Sequence, residues 1–121
     1  MNKVLVVDDS PMQREMISRV LKSVGINVMV ASDGVEALEQ IQQNCPDLVV
    51  LDIVMPRMNG YEVCRWLRSN LGENLPVVMC SSKREEFDRY WGMKQGADAY
   101  IAKPFRPKDL VVTVKQLLRV R

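Results

Sequence analysis

The run Leu48-Val49-Val50-Leu51-Asp52-Ile53-Val54-Met55-Pro56-Arg57-Met58-Asn59-Gly60 decides the fold. Its Val- and Leu-rich start, without polar alternation, reads as a parallel strand buried on both faces. One carboxylate, Asp52, closes the run, and a Pro/Asn/Gly turn follows it. In an open α/β sheet, ligands bind beyond the carboxyl ends of the strands, so Asp52 can meet groups from neighbouring strand ends. The same residue could instead cap the turn, as Asp commonly does.

N-terminal to this run, Lys3 to Val7 is a short β-rich stretch ending in Asp8-Asp9, and Ser10-Pro11 supplies a helix cap with Pro in the first turn. Met12, Met16, Ile17, Val20, Leu21 and Val24 recur at helical spacing up to Gly25. Asn27 to Ala31 reads as a second strand. Ser32-Asp33-Gly34 then turns into a helix carrying Val35, Leu38 and Ile41 on one face, and Pro46 closes that unit.

On the C-terminal side, a helix after Asn59-Gly60 runs through Val63, Trp66 and Leu67 to a break at Asn70-Leu71-Gly72. Pro76 to Cys80 is a fourth strand, ending at Ser81-Ser82. A charged helix from about Arg84 to Gln95 carries Phe87, Tyr90, Trp91 and Met93 over more than one side. Aromatics so placed are more often core than partner anchors. Asp98 to Ala102 is a fifth strand leading into Lys103-Pro104-Phe105, and a last helix from about Pro107 buries Leu110, Val114, Leu117 and Leu118.

Five strands alternating with five helices over short connections predict right-handed crossovers. The fold class is α/β: a doubly wound five-stranded parallel sheet with helices on both faces. In the flavodoxin-like order 2-1-3-4-5, the ends of strands one and three flank the switch point, and Asp8, Asp9 and Asp52 converge there. One domain over residues 1–121 is expected, with no linker or low-complexity segment.

Composition narrows the chemistry. With 121 residues, 47% hydrophobic and 26% charged, the chain can bury one core. A net charge of +2 gives no argument for nucleic acid. No apolar run is long enough for a bilayer and no signal-peptide pattern is present, so a cytoplasmic protein without membrane insertion is expected. Cys45, Cys64 and Cys80 are odd in number and form no CxxC, which suggests small core or half-buried residues rather than disulfides or zinc ligands. The absence of histidine removes Ser/His and Cys/His catalysis. Neither GxxxxGK[ST] nor GxGxxG occurs.

Three carboxylates in one crevice repel one another and call for shared protons or a cation. Magnesium prefers oxygen ligands and commonly takes one or two carboxylates together with a phosphate oxygen. Lys103, Ser81 and the backbone beyond Asp52 offer a point charge, a hydroxyl donor and amide donors, which suit a phosphoryl group. Taken singly, Lys103 could be a solvated loop lysine and Ser81 a strand-end hydroxyl bonded to backbone. The arrival of the acidic pair Asp8-Asp9, Asp52, Ser81 and Lys103 at the ends of four different strands points to a site.

The motifs Val6-Val7-Asp8-Asp9-Ser10, Leu51-Asp52-Ile53-Val54-Met55-Pro56 with Asn59-Gly60, Met79-Cys80-Ser81-Ser82, and Gly96-Ala97-Asp98-Ala99-Tyr100-Ile101-Ala102-Lys103-Pro104-Phe105 make the chain resemble a bacterial two-component receiver domain of the stand-alone, CheY-like kind. The resemblance covers essentially the whole sequence. It implies that Asp52 takes a phosphoryl group from a phosphohistidine on a histidine kinase or histidine phosphotransfer domain. Asp9 would ligate magnesium directly, Asp8 mainly through water, and the Val54 carbonyl would add a third protein oxygen. Lys103 would pair with the phosphoryl oxygens, Ser81 would move to hydrogen-bond them, and the Lys103-Pro104 bond would be cis.

By the same resemblance Tyr100 is a switch aromatic, turning inward as Ser81 vacates space and reshaping the surface of the last two helices and the strand between them, through which a downstream protein would be contacted. Val54 and Lys83 stand where the family tunes the attacking water. The chain would not be an enzyme beyond its own phosphorylation and dephosphorylation, and would be a monomer able to dimerise on phosphorylation. The segment Asp88 to Gly96 is similar to regulators of twitching motility and phototaxis, which implies chemotaxis-like or pilus motility control. A haloacid-dehalogenase-like phosphatase fits poorly, because its second Asp, two residues after the nucleophile, is Val54 here. A phosphorylation-independent module of the same shape is opposed by the intact acceptor, acidic pair, Ser81 and Lys103.

Overall fold

Apolar residues on alternate sides of short strands build this molecule around its sheet. The computed structural model describes residues 2–83 and 85–120. The strands β1 (Lys3–Val7), β2 (Asn27–Ala31), β3 (Leu48–Leu51), β4 (Val77–Ser81) and β5 (Ala99–Ala102) pair in parallel in the order β2-β1-β3-β4-β5. The helices are α1 (Pro11–Lys22), α2 (Gly34–Gln43), α3 (Gly60–Leu71), α4 (Glu86–Lys94) and α5 (Pro107–Val120). This is the doubly wound order expected from the sequence.

Because successive side chains of a strand point to opposite faces, each central strand feeds two cores. Val4, Val6, Leu48, Val50, Val78 and Cys80 pack with Ile17 and Leu21 of α1 and Leu110 and Val114 of α5. Leu5, Val7, Val49, Leu51, Val77 and Met79 pack with Ala37 and Ile41 of α2 and Val63 and Leu67 of α3. Burial pushes the Cys64 thiol up to about 11 and the Cys80 thiol to about 12, so both act as small apolar residues. Cys45, expected in or near the core, is exposed in the turn before β3.

Several expectations need correction, among them the fourth strand, which runs Val77–Ser81 and not Pro76 to Cys80. β3 stops at Leu51, leaving Asp52 as the first residue of the loop, and β5 begins at Ala99. On α1 the buried line is Ile17, Ser18 and Leu21, while Met12 is 78% exposed and Val24 is also exposed; Ser18 fits inside because its hydroxyl donates to the Arg14 carbonyl at 2.7 Å. On α4 the aromatic positions face outward: Phe87, Tyr90, Trp91 and Met93 are all exposed and Gly92 is the buried residue. The side facing the sheet is the line Asp88, Gly92 and Gln95, which leaves positions 87, 90, 91 and 93 on the remaining arc. Arg84, the expected start of that helix, lies outside the described residues.

Candidate functional site at the carboxyl ends of the strands

Parallel register brings the acidic residues together. Val7 is paired with Leu51, so the next residues, Asp8 and Asp52, leave adjacent strands side by side. Asp8 is 1% exposed and continues the ladder by donating its N–H to the Ala31 carbonyl at 3.2 Å. Its Oδ1 accepts the Ser10 N–H at 3.0 Å, and Arg14 Nη1 donates to its carbonyl at 2.8 Å. Ser10 caps α1, accepting the Gln13 N–H, so the cap that starts the helix also sets the acidic loop. The Asp52 N–H donates to the Val7 carbonyl at 3.0 Å, while its Oδ1 accepts the Ile53 N–H at 2.7 Å.

The ligand oxygens of Asp8, Asp9 and Asp52 lie within 4.8 Å of one another. Asp9 is the exposed member. A donor set of carboxylate oxygens alone suits a hard divalent cation and fits magnesium better than a softer metal.

Lys103 answers the negative charge from β5. Its N–H donates to the Ser81 carbonyl at 2.8 Å, and its Nζ stands 2.6 Å from Asp8 Oδ2 and 3.6 Å from Asp52 Oδ2. Burial pulls the Lys103 ammonium down, but the hydrogen bond to Asp8 and the charge of Asp52 more than compensate, so it stays charged with its pKa raised. Burial raises the Asp52 carboxyl, Lys103 opposes this, and the Asp8 charge adds to it. The Lys103-Pro104 bond is cis.

Ser81 ends β4 fully buried, and its Oγ accepts the Lys83 N–H at 3.3 Å. Tyr100, on edge strand β5, is 6% exposed with its ring already turned in. Its hydroxyl donates to the Lys83 carbonyl at 2.6 Å, Arg89 Nη1 donates to its carbonyl at 3.0 Å, and the Arg89 guanidinium stands 5.4 Å over the ring. Of the two residues expected to overlook the attacking water, Val54 is 56% exposed and the Lys83 side chain is also in solvent.

Sequence reasoning missed two groups around the site. Arg57 grips Asp33 with a two-pronged contact, and the Glu36 amide first, then Arg57 against the effect of burial, hold the Asp33 carboxyl below its usual range. Asn59 caps α3 in a reciprocal box with Glu62; the spacing Asn59-x-x-Glu62 is a legible signal for it. For Arg57 no local signal exists, since Asp33 is 24 residues away.

Comparison with known proteins places these features in a family. The model of the response regulator receiver domain matches residues 4–115. The DNA-binding response regulator MtrA of Mycolicibacterium smegmatis is 44% identical over 117 residues, 97% of this chain and 50% of that protein. The response regulator MprA of Mycobacterium sp. is 45% identical over the same length. The chain thus spans about half the length of these curated relatives. Among solved structures, the receiver domain of the Francisella response regulator 1452 superposes with a TM-score of 0.94 at 33% identity, covering 99% of this chain and 98% of that one. The Vibrio cholerae chemotaxis protein CheY4 gives 0.89 at 34%, covering 97% and 98%.

Proposed function

The chain belongs to the response regulator receiver domain family, and we propose from that premise that it accepts a phosphoryl group on Asp52 from a histidine kinase or histidine phosphotransfer domain. The observation that carries this reading is the convergence of Asp8, Asp9 and Asp52 with Lys103 across their oxygens. With Oδ1 of Asp52 engaged by the Ile53 amide, Oδ2 is the attacking oxygen. It forms the new bond to phosphorus as the bond from phosphorus to the imidazole nitrogen breaks and leaves its electron pair there. Asp8, Asp9, Asp52 and the Val54 carbonyl would hold magnesium, which when bound neutralises charge on the reacting oxygens. Lys103 supplies a point charge to the phosphoryl oxygens and the Ser81 hydroxyl a donor. A groove of 430 Å³ lined by Gln13, Met16, Ser82, Lys103, Pro104 and Phe105 lies beside Lys103.

In this reading the chain acts on no substrate but itself. It works in the cytoplasm, in keeping with the lack among the described residues of a helix long and apolar enough to cross a membrane. It is a monomer that can dimerise when phosphorylated. Output runs through the face of α4, β5 and α5, with Ser81 as the moving group of the switch and Tyr100, already inward rather than turning in, tying that face to it through Lys83 and Arg89. The likeness to CheY4, a chemotaxis protein, supports chemotaxis-like control. The relatives named as DNA-binding regulators support a second reading, output to transcription, and leave the expected absence of a nucleic acid partner without support.

Incubation with acetyl phosphate and magnesium, followed by mass spectrometry, tests the acceptor. One labile adduct is expected on the wild type and none on Asp52→Asn; equal yields in EDTA or in the variant would overturn it. In the amide spectrum, a beryllofluoride mimic should move signals across α4, β5 and α5. Changes confined to the residues touching the mimic would refute the switch.

A further inference from the structure

The loop that follows Asp52 is tied down from outside the carboxylate cluster. Arg57 has φ +68, the left-handed region that L side chains disfavour. Across it the Met58 N–H donates to the Pro56 carbonyl at 2.7 Å. A three-residue turn of this hand persists only where its surroundings hold it.

Arg57 is held by its own side chain. Nε reaches Asp33 Oδ2 at 3.0 Å and Nη2 reaches Oδ1 at 3.1 Å, the forked geometry that makes arginine–carboxylate pairs directional. Asp33 is a firm anchor: it is 9% exposed and caps α2, accepting the Glu36 N–H at 2.8 Å. Backbone contacts close the loop from both sides. A Cβ on Gly34, the first residue of α2, would lie 2.2 Å from the Met58 carbonyl oxygen, and one on Gly60, the first of α3, 2.2 Å from the Asp52 carbonyl oxygen.

We propose that Arg57 is a positioning residue whose ion pair with Asp33 holds the β3 to α3 loop so that the Val54 carbonyl and Asp52 are presented together, setting the divalent-cation affinity of the site. The inference rests on reading Asp8, Asp9, Asp52 and Val54 as that site. Arg57 touches neither cation nor phosphoryl group; it acts through the loop backbone, as groups behind metal ligands do elsewhere.

Amide chemical-shift titration of the full chain with Mg²⁺ alone tests it, on wild type, Arg57→Gly, Arg57→Lys, Asp33→Asn and the Arg57→Gly/Asp33→Asn double variant. Gly accepts the positive φ and removes the strap, separating backbone strain from the ion pair. Asn keeps the cap on α2 but loses the charge. Arg57→Gly and Asp33→Asn are each expected to weaken Mg²⁺ binding about tenfold. The double variant should be no weaker than either, and Arg57→Lys should recover part of the loss. Melting in EDTA provides the contrast, because a merely structural pair would lower the melting temperature and leave the affinity unchanged. Wild-type affinity in both single variants, or additive losses in the double, would overturn the proposal. A wild type that takes no Mg²⁺, or an Asp9→Asn variant that binds it as well as wild type, would instead sink the cation-site reading and the strap with it.

Discussion

Gly92 offers the sharpest test of how Tyr100 is held. A methyl group there would lie 2.9 Å from Met79 Sδ and 3.1 and 3.3 Å from Tyr100 Cδ2 and Cε2. Alanine inside a helix is worth about 1 kcal/mol over glycine, whereas forcing a methyl into a filled core costs about 1–3 kcal/mol. The Met79 chain can rotate out of the way. Tyr100 cannot do so freely, since its hydroxyl is bonded to the Lys83 carbonyl and Arg89 covers its ring. Moving the ring gives up a hydrogen bond worth about 1 kcal/mol. Gly92→Ala should therefore destabilise the protein by about 1–2 kcal/mol. In a Tyr100→Ala background the obstruction is gone, and the same change should stabilise by up to about 1 kcal/mol. Urea unfolding of the four proteins, followed by tryptophan fluorescence, reads this sign inversion as a coupling of about 2–3 kcal/mol. Equal stabilisation by Gly92→Ala in both backgrounds would refute the packing argument and the fixed inward ring.

Asp52→Asn should be more stable than wild type at pH 7 in EDTA. The folded Asp52 carboxyl sits above its ordinary value of 3.8 chiefly because it is buried, so the native state binds its proton more tightly and loses stability as pH rises through that raised value. The advantage of Asn should vanish below about pH 3.8; a variant that is less stable at pH 7 and equal in acid would show the opposite sign. Gly60→Ala should cost about 3 kcal/mol or more, because its methyl would meet the backbone of Asp52 and Ile53, which cannot swing aside; an unchanged urea midpoint would contradict this. The phosphorylated form should persist for minutes, since apolar Val54 and the donor side chain of Lys83 offer the attacking water no acceptor. Val54→Asn/Lys83→Glu should hasten loss of the acyl phosphate about tenfold in excess EDTA, the equivalent of about 1.4 kcal/mol. A wild-type half-life of seconds, or no acceleration, would show that these positions do not set the rate.

Much of this protein is determined by sequence alone because its information is local. Apolar runs of four or five residues, interrupted by glycines, prolines and capping residues at short intervals, specify five strands and five helices, and the crossover rule leaves few ways to assemble them. The placement of Asp8, Asp9, Asp52, Ser81 and Lys103 follows from that alternation, since each closes or follows a strand whose end must lie at one rim of a parallel sheet. Periodicity failed where a helix has a weakly apolar inner line. On α4 the sheet-facing positions are Asp88, Gly92 and Gln95, so a pattern search assigns the aromatics to the core, and only packing against Tyr100 and Met79 shows that there is room for nothing larger than glycine.

Tertiary structure alone decided which partners distant groups choose. That Lys103 bonds Asp8 more closely than Asp52, that the Tyr100 ring lies inward with its hydroxyl on the Lys83 carbonyl, and that Arg57 reaches Asp33 are choices among competing contacts of similar strength. A short-range pattern sets which backbone conformation each residue favours. It does not carry the distances, on which Coulomb attraction and hydrogen bonding depend, between groups 17 to 95 residues apart.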